Sequence, residues 1–220
     1  MLKHARRSRS LSVDGKKAQR YDEFSRLYRM RDLGSYAEFA ASRTPAGGSV
    51  LDVATGPGYF CTALAKLGTF GVTGLDISAD LVEIARANAT RERVEVTFLE
   101  ADAGSMPFAG DAFDLVFCSW AVKNFQNPVA VLCEMYRVLR PGGRVLIVDV
   151  NHDATGRDWK TYASKIGLKG GTALMMGIAF MIQRSGAYNR EQFEELVTAT
   201  PLRLESTQTL GINLVLELVK

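Results

Sequence analysis

Cysteine is scarce in this 220-residue chain: there are three, and no two stand in a Cys-x-x-Cys pair. An odd, scattered set excludes a disulfide framework and a zinc knuckle. Cys118 and Cys133 sit in apolar contexts and read as small buried hydrophobes. No metal site is expected, and a reducing, cytoplasmic setting is. Histidine is scarcer still, at two residues. No apolar stretch approaches the about 20 residues that span a bilayer. The longest, 173–182, is interrupted by Gly177. No apolar segment follows the basic start, so a cleaved secretory leader is not expected. Internal repeats are missing too, which excludes a solenoid.

What is present is ordinary in composition. The chain is 47% hydrophobic and 23% charged, and its length suits one domain. The net charge of +3 is unevenly spread: residues 1–20 hold seven Lys or Arg and one acid, Asp14, leaving the rest net negative. We expect a basic flexible tail over 1–20, able to meet RNA, anionic lipid or an acidic partner, and a single domain over 21–220. Residues 21–48 read as a helical lid. Tyr21, Phe24, Leu27, Tyr28 and Leu33 recur at helical spacing there, with a break expected at Gly34.

From residue 49 the pattern becomes strand, turn, helix, repeated. Strands are expected over 49–54, 71–76, 94–99, 113–118 and 144–150, with helices over 59–67 and 78–88 and another opened by Asn127-Pro128. Pro141-Gly142-Gly143 is its expected stop. This alternation implies a parallel sheet with helices on both faces, a Rossmann-like α/β domain. Residues 155–188 read as an inserted helical lid, rich in Met and aromatics, with a break at Gly170-Gly171. Asn189 and Gln192 resemble a capping box. Residues 203–210 and 212–219 read as an antiparallel hairpin at a sheet edge.

Ligand chemistry is expected at the carboxyl ends of the strands. The first ends in Val50-Leu-Asp-Val-Ala-Thr-Gly-Pro-Gly-Tyr-Phe60. Gly56 and Gly58 there permit positive φ and close approach to a ligand, ahead of a helix N-terminus. The second, Gly74-Leu-Asp-Ile-Ser78, closes on Asp76, whose carboxylate suits both ribose hydroxyls of an adenosyl group. The third ends in Glu100-Ala-Asp-Ala103, where Asp102 suits an adenine amino group and the Ala103 amide the ring. A dinucleotide competes for this frame. Its fingerprint wants Gly or Ala where Cys61 stands. Asp52 would also repel a pyrophosphate and attract a ligand carrying an ammonium and a sulfonium.

Leu51-Asp-Val-Ala-Thr-Gly-Pro-Gly58, Gly74-Leu-Asp-Ile77, Ala101-Asp-Ala103 and Glu134-Met-Tyr-Arg-Val-Leu-Arg-Pro-Gly-Gly143 resemble the ordered motifs of class I S-adenosylmethionine-dependent methyltransferases. The resemblance runs over about 49–150. It implies a seven-stranded sheet of order 3-2-1-4-5-7-6 with strand 7 antiparallel. It also implies S-adenosyl-L-methionine as cofactor and S-adenosyl-L-homocysteine as product. By the same resemblance Gly56 and Gly58 approach the methionine portion, Asp52 and Ser119 its amino group, Asp76 the ribose, and Asp102 with Ala103 the adenine. Tyr21, Ala54 and Ile77 complete the expected cofactor set. More narrowly, Trp120-Ala-Val-Lys-Asn124 with Met135-Tyr-Arg-Val-Leu-Arg-Pro-Gly-Gly143 is similar to the C-methyltransferases of ubiquinone and menaquinone biosynthesis. Those carry Arg-Asn at the place of Lys123-Asn124, and a His-Arg-x-x-Trp element that 21–41 lacks.

The function expected is in-line methyl transfer to a small, partly apolar molecule, with C-methylation of a quinol or phenol as the alternative. RNA methylation and a non-catalytic cofactor-binding module are the other readings. Nucleic acid is disfavoured by the net-acidic body and by Cys118-Ser-Trp120, which lacks an Asn/Asp-Pro-Pro-aromatic element. His152, Lys123 and Asn124 are the candidate catalytic groups. Tyr188, Met176 and Phe180 are candidate acceptor walls. A homodimer is compatible with the chain, and no transmembrane segment is expected.

Overall fold

The structure, a computed structural model, describes residues 12–220. Most of the expected tail lies outside the described residues, but its last five are helical: α1 spans Lys16–Tyr28 and α2 spans Met30–Arg43. The two helices meet at Arg29, and the expected break at Gly34 does not occur. Gly34 lies within α2 because Leu33, Ala37 and Ala40 bury one stripe of that helix. Their packing outweighs the roughly 1 kcal/mol cost of an internal glycine.

The strands are β1 (Ser49–Val53), β2 (Gly71–Asp76), β3 (Thr97–Glu100), β4 (Phe113–Ser119), β5 (Leu139–Val150), β6 (Arg203–Leu210) and β7 (Asn213–Val219). They form one sheet in the order β3-β2-β1-β4-β5-β7-β6. β1 to β5 pair in parallel, and β7 runs antiparallel to both β5 and β6. Order and direction are those expected. The central strands are buried on both faces, which is why they read as continuous apolar runs. On one face Val50, Phe117 and Leu146 pack beneath α2, α3 (Tyr59–Ala65) and α4 (Ala79–Glu92). On the other, Leu51, Val116 and Ile147 pack beneath α5 (Pro128–Val138) and α8 (Arg190–Thr198).

The helix starts follow their capping residues. Ser78 accepts from the Leu81 amide, Asn127 from the Ala130 amide, and Asn189 with Gln192 closes a reciprocal capping box. Several boundaries differ from expectation; α4, for one, runs on to Glu92 rather than ending at residue 88. β3 begins at Thr97 rather than residue 94. β5 begins at Leu139 rather than residue 144, because Leu139 already pairs with Phe113. A register shift between Phe113 and Leu115 then absorbs Pro141-Gly142-Gly143. α5 therefore stops at Val138, ahead of the Pro-Gly-Gly, as the residue before a proline disfavours the helical region.

After β5 the chain forms α6 (Gly156–Lys165) and α7 (Gly170–Arg184). The break falls at 166–169, and Gly170 opens α7 instead of interrupting it. These helices have a small core of their own, built on Trp159, Leu168, Phe180 and Ile212, with Tyr28 of α1 and Trp120 packed against it. Trp159 and Phe180 stack with ring centroids 5.2 Å apart. α6 and α7 are thus tied both to α1 and to the end of β4.

Candidate functional site

β1 and β4 are neighbours in the sheet, yet their following helices lie on opposite faces. Such a switch point opens a crevice at the carboxyl ends of the strands. The backbone there is unusual. Beyond β1, Ala54, Gly56 and Gly58 take φ of 59, 54 and 75, and beyond β4 Trp120 takes φ 53. Ala54 and Trp120 carry a Cβ in the left-handed region, a strain of about 1–3 kcal/mol each that the surroundings must hold. Both line the crevice.

Asp76 at the end of β2 fixes the loop after β1. One carboxylate oxygen accepts from the Gly56 amide at 2.8 Å, and the other accepts from the Ser78 amide at 3.0 Å. Burial raises its pKa against the pull of those amides. Asp76 also stands where two cavities meet. One, of about 340 Å³, is bounded by Tyr21, Ala54, Gly56, Ser119 and Trp120, with Lys123 and Asn124. The other, of about 290 Å³, is bounded by Leu75, Ile77, Asp102, Ala103, Phe125 and Val131. The second thus offers apolar flanks for a flat ring and a carboxylate at its edge. Asp102 accepts from the Gly104 amide at 2.8 Å, which braces that loop.

A third cavity of about 270 Å³ opens beneath α6 and α7. Its walls are apolar and aromatic: Tyr28, Trp120, Trp159, Met176 and Phe180 among them. Arg29 borders both this chamber and the first cavity. Its guanidinium carbon lies 4.4 Å from the Trp120 ring centroid, 5.1 Å from that of Phe24 and 5.5 Å from that of Tyr21. It also donates to the Tyr21 hydroxyl at 2.9 Å. A cation held by three rings at the junction of a polar and an apolar cavity is a chemically specific arrangement.

This geometry has known relatives. A family model described as a methyltransferase domain matches residues 51–147. The ubiquinone/menaquinone biosynthesis C-methyltransferase UbiE of Bdellovibrio bacteriovorus is 36% identical over 129 residues, covering 57% of this chain and 55% of that protein. The demethylmenaquinone methyltransferase of Thermus thermophilus is 36% identical over 141 residues, 60% of this chain and 61% of that protein. Residues 51–147 are thus similar to a methyltransferase domain. The chain spans somewhat more than half the length of these two relatives. A solved S-adenosylmethionine-dependent methyltransferase from Aquifex aeolicus shares the fold, with a TM-score of 0.70 at 18% identity, over 94% of this chain and 98% of that one.

The crevice meets several demands of S-adenosylmethionine. A buried carboxylate, Asp76, faces the junction of two cavities suited to a ribose. A Cβ at Gly56 would stand 3.2 Å from the Tyr21 ring, so the glycine leaves the cavity wall open. Eight of the ten residues expected to bind the cofactor line these two cavities: Tyr21, Ala54, Gly56, Asp76, Ile77, Asp102, Ala103 and Ser119. Gly58 and Asp52 do not. Gly58 caps α3, and Asp52 is buried behind the wall, where it accepts from the Thr55 hydroxyl at 2.6 Å and the Cys61 thiol at 3.4 Å.

The candidate catalytic residues divide. Lys123 and Asn124 line the first cavity. His152 lines none of the three: its ring meets Asp153 at 3.0 Å and its side chain is 44% exposed. The expected acceptor walls divide likewise. Met176 and Phe180 bound the third chamber, whereas Tyr188 packs into the core against Phe193, with ring centroids 5.2 Å apart. Arg29 was not singled out from sequence. The available signal was an arginine following Tyr21, Phe24 and Tyr28 on one helical stripe.

Burial pushes Asp52 up to about 7 from an ordinary value of 3.8, with the Thr55 and Cys61 bonds opposing and the Asp76 charge adding to it. Between those values the native chain holds a proton that the unfolded chain has released. Native stability from this group is therefore fullest below about pH 4 and is lost as pH rises through about 7. Asp52→Asn removes the titration. Urea midpoints should show wild type losing on the order of 2–4 kcal/mol relative to this variant between pH 5 and pH 8. Parallel pH slopes for the two proteins would contradict the assignment.

Proposed function

We propose that this chain transfers the methyl group of S-adenosylmethionine to a small, partly apolar acceptor, and that the acceptor is a quinol or phenol methylated at carbon. The observation that carries the finer reading is Arg29, a fixed cation between the cofactor cavity and an aromatic chamber. The names of the Bdellovibrio and Thermus relatives point the same way.

Asp76 is assigned the ribose hydroxyls, Asp102 and the Ala103 amide the adenine. The Ala54–Gly56 turn and Ser119 are assigned the methionine portion. S-adenosylmethionine supplies an electrophilic methyl group already activated at sulfur. The chain's own task is then orientation, exclusion of water, and stabilisation of charge on the acceptor. Trp120, Trp159, Met176 and Phe180 provide a dry chamber. Arg29 stabilises the acceptor's oxygen as an anion, which makes the neighbouring ring carbon electron-rich. Lys123 and Asn124 line the cofactor side, and Gln183 borders both that cavity and the aromatic chamber. The free cysteines Cys61, Cys118 and Cys133 accord with a cytoplasmic location.

Labelled S-adenosylmethionine incubated with a short-chain naphthoquinol should yield a product carrying the label on ring carbon, read by NMR. Absence of transfer to any quinol or phenol would overturn the reading. Arg29→Met keeps an unbranched, apolar stem and removes the charge. It should lower kcat about 100-fold. S-adenosylhomocysteine affinity should change less than about threefold, since the main cofactor contacts remain. Equal losses in both would place Arg29 in cofactor binding alone.

A further inference from the structure

α7 is apolar all round, yet only Gly177 and Phe180 of its residues are buried. One stripe, Ala173, Met176, Gly177 and Phe180, faces Trp159 and the aromatic chamber. The opposite stripe, Leu174, Met175, Ile178, Met181 and Ile182, is exposed, with Leu174, Met175 and Ile182 each about two-thirds accessible. A helix that is apolar on every side normally lies inside a protein or a membrane. An exposed patch of this kind marks an interaction surface.

The surroundings of the patch identify its occupant. Between α6 and α7 runs an open groove of about 920 Å³, walled by Ala163, Leu168, Leu174, Ile178 and Met181, with Lys160 and Lys169 among its lining. From 159 to 188 the sequence has Lys160, Lys165, Lys169 and Arg184 and no Asp or Glu. Lys165 leans towards Asp32 at 3.9 Å, while Lys160 and Lys169 are exposed. A second copy docked through the same patch would set these cations against each other, because a two-fold contact repeats the same surface on both sides. Anionic headgroups would neutralise them, and the five apolar side chains would enter the acyl boundary. No helix among the described residues is long and apolar enough to cross a membrane, so the contact is with the surface.

We propose that the outer face of α7, with the lysines of α6 and the 166–169 turn, docks this chain on the surface of an anionic phospholipid bilayer. α7 is then a wall with lipid on one side and the acceptor chamber on the other. A membrane-dissolved acceptor reaches the chamber past α7 without crossing bulk water. This last consequence rests on the apolar-acceptor reading above; the docking itself rests on the exposed face and its charges.

The test is sedimentation of the full chain with phosphatidylcholine vesicles, with and without phosphatidylglycerol. Phosphatidylglycerol should raise binding about tenfold or more. Met175→Glu with Ile178→Glu, and separately Lys160→Glu with Lys169→Glu, should each lower it by a similar factor. Circular dichroism, S-adenosylhomocysteine affinity and methyl transfer to a water-soluble short-chain quinol should stay at wild-type level in both variants. The proposal is overturned by vesicle binding that is absent, or by binding indifferent to the α7 substitutions, in which case the basic N-terminal residues carry it. It is equally overturned if the substitutions abolish self-association in sedimentation equilibrium and leave vesicle binding unchanged. Lost turnover with intact, α7-dependent vesicle binding would count against the acceptor reading only.

Discussion

Asp76→Ala should weaken binding of S-adenosylhomocysteine by about two orders of magnitude or more, measured by isothermal titration calorimetry. The expectation combines two effects. A buried carboxylate accepting from two ligand hydroxyls contributes about 1.5–3 kcal/mol for each charge-assisted bond. The same carboxylate accepts from the Gly56 and Ser78 amides, and so sets the turn that shapes the cavity. Asp76→Asn can still accept at one atom, and it should lose less affinity than the alanine variant. If Asp76→Ala bound the product as tightly as wild type, the ribose assignment would fall, and with it the orientation proposed for the whole ligand.

The second large effect concerns folding. Gly58 has φ 75, and a Cβ built on it would lie 2.8 Å from the Phe98 ring and 2.9 Å from the Ala85 side chain. Ala85 belongs to the backbone-anchored face of α4 and cannot turn aside. Gly58→Ala should therefore cost about 3 kcal/mol: about 1–2 for the left-handed conformation and about 1–3 for overpacking. For a chain of this size that lowers Tm by about 6–12 °C in calorimetry. Gly142→Ala separates the two terms. Gly142 has φ 78, but nothing lies within 4 Å of its Cβ position. It should show the conformational cost alone. Equal losses at the two positions would mean that packing at Gly58 relaxes freely.

The features legible in the sequence were those written in consecutive residues. A strand, its terminal Asp76 and the capping Ser78 occupy one short string, and the helix that follows needs nothing from elsewhere to begin. Strand order followed from resemblance alone, and the parallel sheet from the alternation of elements. Arg29 shows where this kind of reading stops. Its chemistry comes from Trp120, which stands at the end of β4 with its backbone in a left-handed turn, and nothing local to α1 announces that meeting. His152 shows the converse. Its position after β5 was readable, but Asp153 beside it determines where the ring points. Asp52 differs again: its strand-end position is plain, while the shielding by Thr55 and Cys61 depends on how the next turn folds back. Likewise Leu139 joins the sheet because Phe113 waits for it, a pairing that no helical pattern in α5 foretells.

Arg29 and Trp120 belong to the walls of two cavities at once. If the proposed function holds, the cofactor space and the acceptor space are consequently coupled, modestly, through these two side chains. A ligand that shifts the guanidinium in one chamber alters what the other chamber offers, and thermodynamic linkage makes that influence mutual and equal in size. Such a shared wall favours an order of arrival: the first ligand sets the cation in place for the second.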